Sequence, residues 1–443
     1  MLLVVGVSGM AASVAHASTA SALFREGDTL PGDATQTITG IGSPDANAVG
    51  GYVFQAASED AAGNVTQSHA IGEPVGLAAK TLRTEGMVAG FNQTAFEFRI
   101  GISDSGSLTY SATIDEGDSV FVDDNPILID GQPFGNDPVN TLASFGSRPG
   151  MTANGQPWFI GGVTDSVGGS TQNRFLYIGN QIVLQGGDSV DAGLPNVLIG
   201  GSSISFDSRV SDTGQTYISE VNVDTGSSAD DNVMVINGQA ITLGGTFVQE
   251  GVAVPASVGG IGGEAWDNFD NVGINDAGDF LITGDTNGDT ATDEFLLVNG
   301  QIILRQGDSF AGGTLDASID AAQMNEAGDW AAIWGADFGS GSLEILMANG
   351  QLVVSEGDLV DWNGDGVIDA NDQGAVLDDF TGIDELALGA TDSAGRFDVF
   401  FTADVILDNG DELEGAFRIT VPAPGTIAVV GALGFTAGRR RRA

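Results

Sequence analysis

The chain has 443 residues, 60 acidic and 14 basic, for a formal net charge of −46, with 67 glycines and no cysteine. The missing cysteine excludes disulfides, thiol nucleophiles and zinc–thiolate centres, and a surface this negative repels nucleic acid and anionic membrane while attracting divalent cations. At 42% hydrophobic residues the chain can still bury a core, so disorder is not the expectation.

Residues 2–14 form an apolar run without charge, followed by Ala15-His16-Ala17. Small residues at Ala15 and Ala17 suit a signal peptidase, so residues 1–17 are expected to be a signal peptide cleaved after Ala17.

Residues 18–421 read as a repeat domain. Its first signal is a polar turn ending in glycine between two apolar runs. The copies are Ser103-Asp104-Ser105-Gly106, Thr152-Ala153-Asn154-Gly155, Ser211-Asp212-Thr213-Gly214, Asn275-Asp276-Ala277-Gly278, Asn325-Glu326-Ala327-Gly328 and Asp392-Ser393-Ala394-Gly395, with a looser copy at 45–50. This is type I turn chemistry. An aromatic soon follows in most copies: Tyr110, Trp158, Tyr217, Phe280, Trp330 and Phe397. The second signal is a two-residue hairpin, best seen where Phe295-Leu296-Leu297-Val298 meets Gln301-Ile302-Ile303-Leu304 across Asn299-Gly300. Gly179-Asn180, Asn237-Gly238 and Asn349-Gly350 repeat it, and Asn-Gly favours the type I′ turn whose twist matches paired strands. The third signal closes the second hairpin strand: Gly186-Gly187-Asp188, Gln306-Gly307-Asp308 and Glu356-Gly357-Asp358.

One unit is thus strand, polar turn, strand, loop, strand, hairpin turn, strand. The turn glycines recur every 49 to 67 residues, and four-stranded units repeated at such a period indicate propeller blades. The expected fold is all-β: a seven-bladed β-propeller of four-stranded antiparallel blades. The second blade is degenerate, with Asp123-Asp124-Asn125-Pro126 in place of Asn-Gly. A parallel β-solenoid is the main alternative, but it needs no hairpins. The Trp-Asp and double-glycine signatures of known propeller repeats are missing, so the repeat family stays unidentified. The seventh blade lacks its fourth strand. Its missing Glu-Gly-Asp element stands at the other end, in Ala22-Leu23-Phe24-Arg25-Glu26-Gly27-Asp28. The N-terminal strand is therefore expected to close the last blade, with 23–25 antiparallel to 417–420.

In an inserted loop, Asp361, Asn363 and Asp365 alternate as oxygen donors, Gly366 permits a sharp turn, Val367 offers its carbonyl, and Asp369 and Asp372 complete a calcium loop at 361–372. The loop resembles a single dockerin-type or thrombospondin-type calcium repeat and implies calcium as the bound ion. A dockerin carries two such loops, so cohesin binding is not expected. Asp285-Thr286-Asn287-Gly288-Asp289 begins alike, but Leu296 sits where the last carboxylate should be, which favours a polar loop.

The C-terminus reads Val421-Pro422-Ala423-Pro424-Gly425, then a short apolar run at 426–438, then four arginines at 439–442. This resembles the PEP-CTERM sorting signal of bacterial exported proteins, with Ala423 where that family carries glutamate. The resemblance implies that 422–443 are a sorting tail processed by an exosortase-type membrane protease, with only transient membrane contact. The protein is then exported to the cell envelope or extracellular matrix. The apolar run is well below the ~20 residues of a stable span.

Catalysis has little support. His69 is the one histidine left after signal cleavage, so a His-bearing triad is not expected, and an ordinary half-buried strand residue is the simpler reading. The sequence thus favours a non-catalytic, calcium-stabilised surface or matrix protein that binds polysaccharide or another matrix component. The alternative is a glycan-cleaving enzyme using paired carboxylates at the propeller centre.

Overall fold

In the computed structural model, residues 19–422 are described apart from 64–66, 75–78, 85, 89, 116, 135–136, 146–148, 165–171, 191–198, 205–207, 224, 226 and 382–385. The expected signal segment 1–17 and the sorting tail beyond Pro422 lie outside the described residues.

Seven antiparallel sheets follow one another along the chain. Blade 5 is the cleanest: Trp266–Ile274, Phe280–Thr286, Phe295–Val298 and Gln301–Arg305, paired in that order. Blade 6 repeats it with Gly313–Met324, Trp330–Asp337, Ser342–Ala348 and Gln351–Ser355. Blade 1 begins at Gln36–Ala46, blade 2 at Ala95–Ile102, blade 3 at Asp137–Phe145 and blade 4 at Ile199–Ile204.

Alternate residues of each strand point to opposite faces, and every blade packs on two neighbours. Phe295 and Leu297 join the core against blade 4, while Leu296 joins the core against blade 6. This explains why the strands read as unbroken apolar runs: both faces are buried. Seven such interblade cores close the ring. The aromatics after the polar turns fill them, with Tyr110, Trp158, Tyr217, Trp330 and Phe397 all buried.

The hairpin tips are built as expected. Asn237, Asn299 and Asn349 take positive φ near 50° (51°, 49° and 47°), each followed by a positive-φ glycine. Asp123 also takes positive φ in blade 2, at 51°, with Asp124 in place of the glycine, so the degenerate copy still turns there. Each of these side chains does a second task. Asn299 Oδ1 accepts from Phe280 N–H, Asn349 from Trp330, Asn237 from Tyr217 and Asp123 from Leu108. The tip is thereby fastened to the start of the second strand. In blade 3 that strand starts at Pro157, which has no N–H to offer, and the tip residue is Gly179, which has no acceptor. The exception follows the same rule.

Ser21–Arg25 closes blade 7 by pairing antiparallel with Glu412–Val421. The partners are Ala22 with Phe417 and Phe24 with Ala416, so the register lies two to three residues from the expected 23–25 against 417–420. A bulge at Leu23 changes the register by one residue partway along the strand. It sends Ala22 into the core between blades 6 and 7 and Phe24 into the core between blades 7 and 1.

Candidate functional site

The polar turns converge around the ring axis. The first residue of each turn, from Asn47 to Asp392, accepts from a backbone N–H four or five residues on. These local bonds leave the second turn residue to face its neighbours. Ala48 N–H donates to Asp104 Oδ1 (2.9 Å), Asp104 N–H to the Ala153 carbonyl (3.0 Å), and Ala153 N–H to the Asp212 carbonyl (2.8 Å). Glu326 of blade 6 then bridges two blades at once. Its Oε1 accepts from Asp212 N–H at 2.6 Å and its Oε2 from Asp276 N–H at 2.8 Å.

These turns surround a cavity of about 380 Å³ lined from all seven blades, by Asp45, Ile100, Trp158, Asp212, Ile274, Glu326 and Thr391 among others. Asp45 Oδ2 accepts from Ile102 N–H at 2.7 Å. Burial pushes the Asp212 carboxyl up to about 7, and the charges of Glu326, Asp104, Asp45 and Asp276 push the same way. Glu326 is raised by burial but restrained by its two backbone donors. The sequence did not single out Asp212 and Glu326. A signal was there: four of the seven polar turns carry an acid at the second position, Asp104, Asp212, Asp276 and Glu326.

The 361–372 loop, expected from sequence to bind calcium, forms a closed wrap. Asp361, fully buried, accepts from Gly364 and Asp365 N–H through Oδ1 and from Gly366 N–H through Oδ2. Asn363 Oδ1 accepts from Asp365 N–H and Asp365 Oδ1 from Val367 N–H. Asp369 caps a single 3₁₀ turn, Ala370–Asp372. Asp372 spans the loop, accepting from Asn363 and Asp369 N–H. The loop leans on the closing strand. Ala22 N–H donates to the Asp361 carbonyl, Asp361 N–H to the Ala20 carbonyl, and Arg25 Nη1 to the Trp362 carbonyl.

Two groups of three carboxylates have oxygens within 4.8 Å of one another among the described residues, and neither comes from this loop. One is Asp270, Asp285 and Glu294 in blade 5. The other is Glu344, Glu356 and Asp379, between blades 6 and 7. Burial and then Asp285 push Glu294 up to about 9, and burial pushes Glu344 up to about 8. Asn287 and Asp289 of the second calcium-like motif serve a polar loop, accepting from Ala265 and Ala291 N–H. The aspartates of the Gly-Asp elements that close the hairpins are structural: Asp188, Asp308 and Asp358 accept from the N–H three residues earlier. His69 is fully buried rather than half-buried. Its ring nitrogens meet Ser58 and Thr84 hydroxyls, and burial lowers its pKa.

No family model matches the chain, and no curated protein matches it. Among solved structures it is similar to a subtype N11 neuraminidase-like protein of A/flat-faced bat/Peru (8% identity, TM-score 0.31, covering 91% of this chain and 96% of that one). It is also similar to a eukaryotic initiation factor (8%, TM-score 0.34, covering 90% and 98%) and to the Dos1 propeller (8%, TM-score 0.32, covering 91% and 95%). The blade count rests on the hydrogen-bonded sheets themselves.

Proposed function

We propose that the protein is an exported, non-catalytic propeller of the cell envelope or extracellular matrix that takes a saccharide unit of a polysaccharide in its axial cavity. The cavity carries the reading. At about 380 Å³ it falls within the range of small-ligand pockets, roughly 300–1,000 Å³. Trp158 and Met151 line it with apolar surface, and the half-buried Asp212 and Thr391 line it with polar groups. An apolar face edged by hydrogen-bonding groups suits a sugar ring, while the acidic turns disfavour anionic ligands. Glycan-array screening followed by titration calorimetry tests it. Asp212→Asn is expected to weaken the best saccharide about tenfold, or ~1.4 kcal/mol. A protein that binds no glycan in calcium or in chelator sinks the reading.

One observation favours a glycan-cleaving enzyme instead. Asp212 holds its proton to about pH 7, as a general acid must. Activity would then fall as pH rises through about 7 and vanish in Asp212→Asn, whereas the binding reading expects no release of reducing ends. Glu326, the charge that acts most strongly on Asp212, already holds two backbone N–H groups, which favours binding over catalysis.

The 361–372 loop fits calcium: hard oxygen donors, alternating positions and a buried Asp361. Bound only by the folded state, calcium at about a hundredfold excess over its dissociation constant adds about 2.7 kcal/mol. Asp365→Ala is expected to remove the loop's share, read by melting in calcium and in chelator. An unchanged calcium increment in that variant means the loop is only a turn. The tail at 422–443 supports export with removal of 439–442 by an exosortase-type protease.

A further inference from the structure

Blade 5 carries an acidic cluster that neither the polysaccharide reading nor the calcium loop uses. Asp270 comes from its first strand, Asp285 from its second, and Glu294 immediately precedes its third. They are brought together by an irregular register between Phe269 and Val272. There Asn271 N–H leaves the ladder and donates to Thr283 Oγ1 at 2.9 Å. Gly284 lets the two strands approach so closely that a Cβ would lie 2.1 Å from the Asn268 carbonyl.

Glu294 gives the cluster its direction. The residue is only 9% exposed; its Oε2 is enclosed with no N–H donor reaching it, and the group its carboxyl faces is the Asp285 carboxyl. A buried carboxylate oxygen left without a donor is costly. Its carboxylate lies within 4.8 Å of oxygens from the half-buried Asp270 and Asp285. The neighbouring basic side chain, Arg305, is taken up by Glu264, Thr292 and Gly259. The related cluster between blades 6 and 7 differs, because Glu344 Oε2 there accepts from Phe380 N–H.

We propose that Asp270, Asp285 and Glu294 form a divalent-cation site of the calcium class, separate from the 361–372 loop. Oxygens that all lie within 4.8 Å of one another can meet a single calcium ion at its usual oxygen distances of roughly 2.3–2.6 Å. Three carboxylates satisfy a hard dication, and the partly open side toward Asp270 and Asp285 leaves places for water. Bound there, the ion ties the first three strands of blade 5 together across the irregular register.

The test uses the full propeller and calcium chloride alone, in the Asp365→Ala background so that the loop does not contribute. That protein is expected to bind calcium and to melt higher in calcium than in chelator. Adding Glu294→Gln, or separately Asp285→Asn, is expected to abolish the remaining calcium increment and one calcium per chain in titration calorimetry. In chelator, Glu294→Gln should melt at or above its parent, because it removes one of three crowded carboxylates. This shows that the loss is not misfolding. If the Asp365→Ala protein gains nothing from calcium, Asp285 and Glu294 share a proton instead of an ion, and the proposal is overturned. It is equally overturned if the increment survives Glu294→Gln. Failure of the loop reading looks different: Glu294→Gln alone then removes the whole calcium response.

Discussion

A chain lacking residues 21–28 is expected to lose cooperative folding of the whole propeller rather than a flexible end. The strand Ser21–Arg25 supplies the last ladder of blade 7 and seats side chains in two interblade cores. Phe24 is 4% exposed and packs against Tyr52 and Phe54 of blade 1. Without it, blade 7 exposes a bare edge and the ring opens between its first and last blades. The 361–372 loop loses its support as well, because Asp361 and Trp362 bond to Ala20, Ala22 and Arg25. Phe24→Ala alone should cost about 3–5 kcal/mol, the usual loss for a buried phenylalanine. Urea unfolding followed by tryptophan fluorescence measures both. A deletion that unfolds within about 1 kcal/mol of the full chain, well under the loss for that one side chain, would show that the ring does not depend on this closure.

Arg305→Met is expected to be as damaging, for an electrostatic reason. Arg305 and Glu264 are 9% and 3% exposed at their side chains. The guanidinium meets both Glu264 oxygens and also donates to the Thr292 and Gly259 carbonyls. Glu264 accepts further from Ile261 N–H and Thr286 Oγ1. The pair joins the long connection before blade 5 to that blade's outer strand. Removing the arginine strands a buried carboxylate, which typically costs about 3–5 kcal/mol. The double variant Glu264→Gln with Arg305→Met should recover part of that loss, because no uncompensated charge remains. A single variant no less stable than the double would contradict this account of the pair.

Much of the ring was legible in the chain because its signals are local. A turn that needs positive φ selects Asn or Gly within two residues, and the strand it serves follows at once. Asn299-Gly300 and Asn349-Gly350 were therefore readable without any knowledge of neighbours. Even the closing strand could be found, because Glu26-Gly27-Asp28 repeats an element that blade 7 lacks. Its register could not, since the bulge at Leu23 answers to where Ala22 and Phe24 find room in two different cores.

The candidate sites depended on contacts of another kind. With 60 acidic residues, sequence alone offers no way to choose which carboxylates meet. Asp212 and Glu326 lie 114 positions apart and touch only because the ring brings blades 4 and 6 to one axis. Asp270, Asp285 and Glu294 are closer in the chain, but they converge only through the irregular register between Phe269 and Val272. The sequence by itself determined the repeat, its turns and the segment that closes it, because backbone geometry restricts which residues can stand at those few positions. Which charges are buried together was decided by the tertiary structure alone, because that depends on how seven sheets pack face to face.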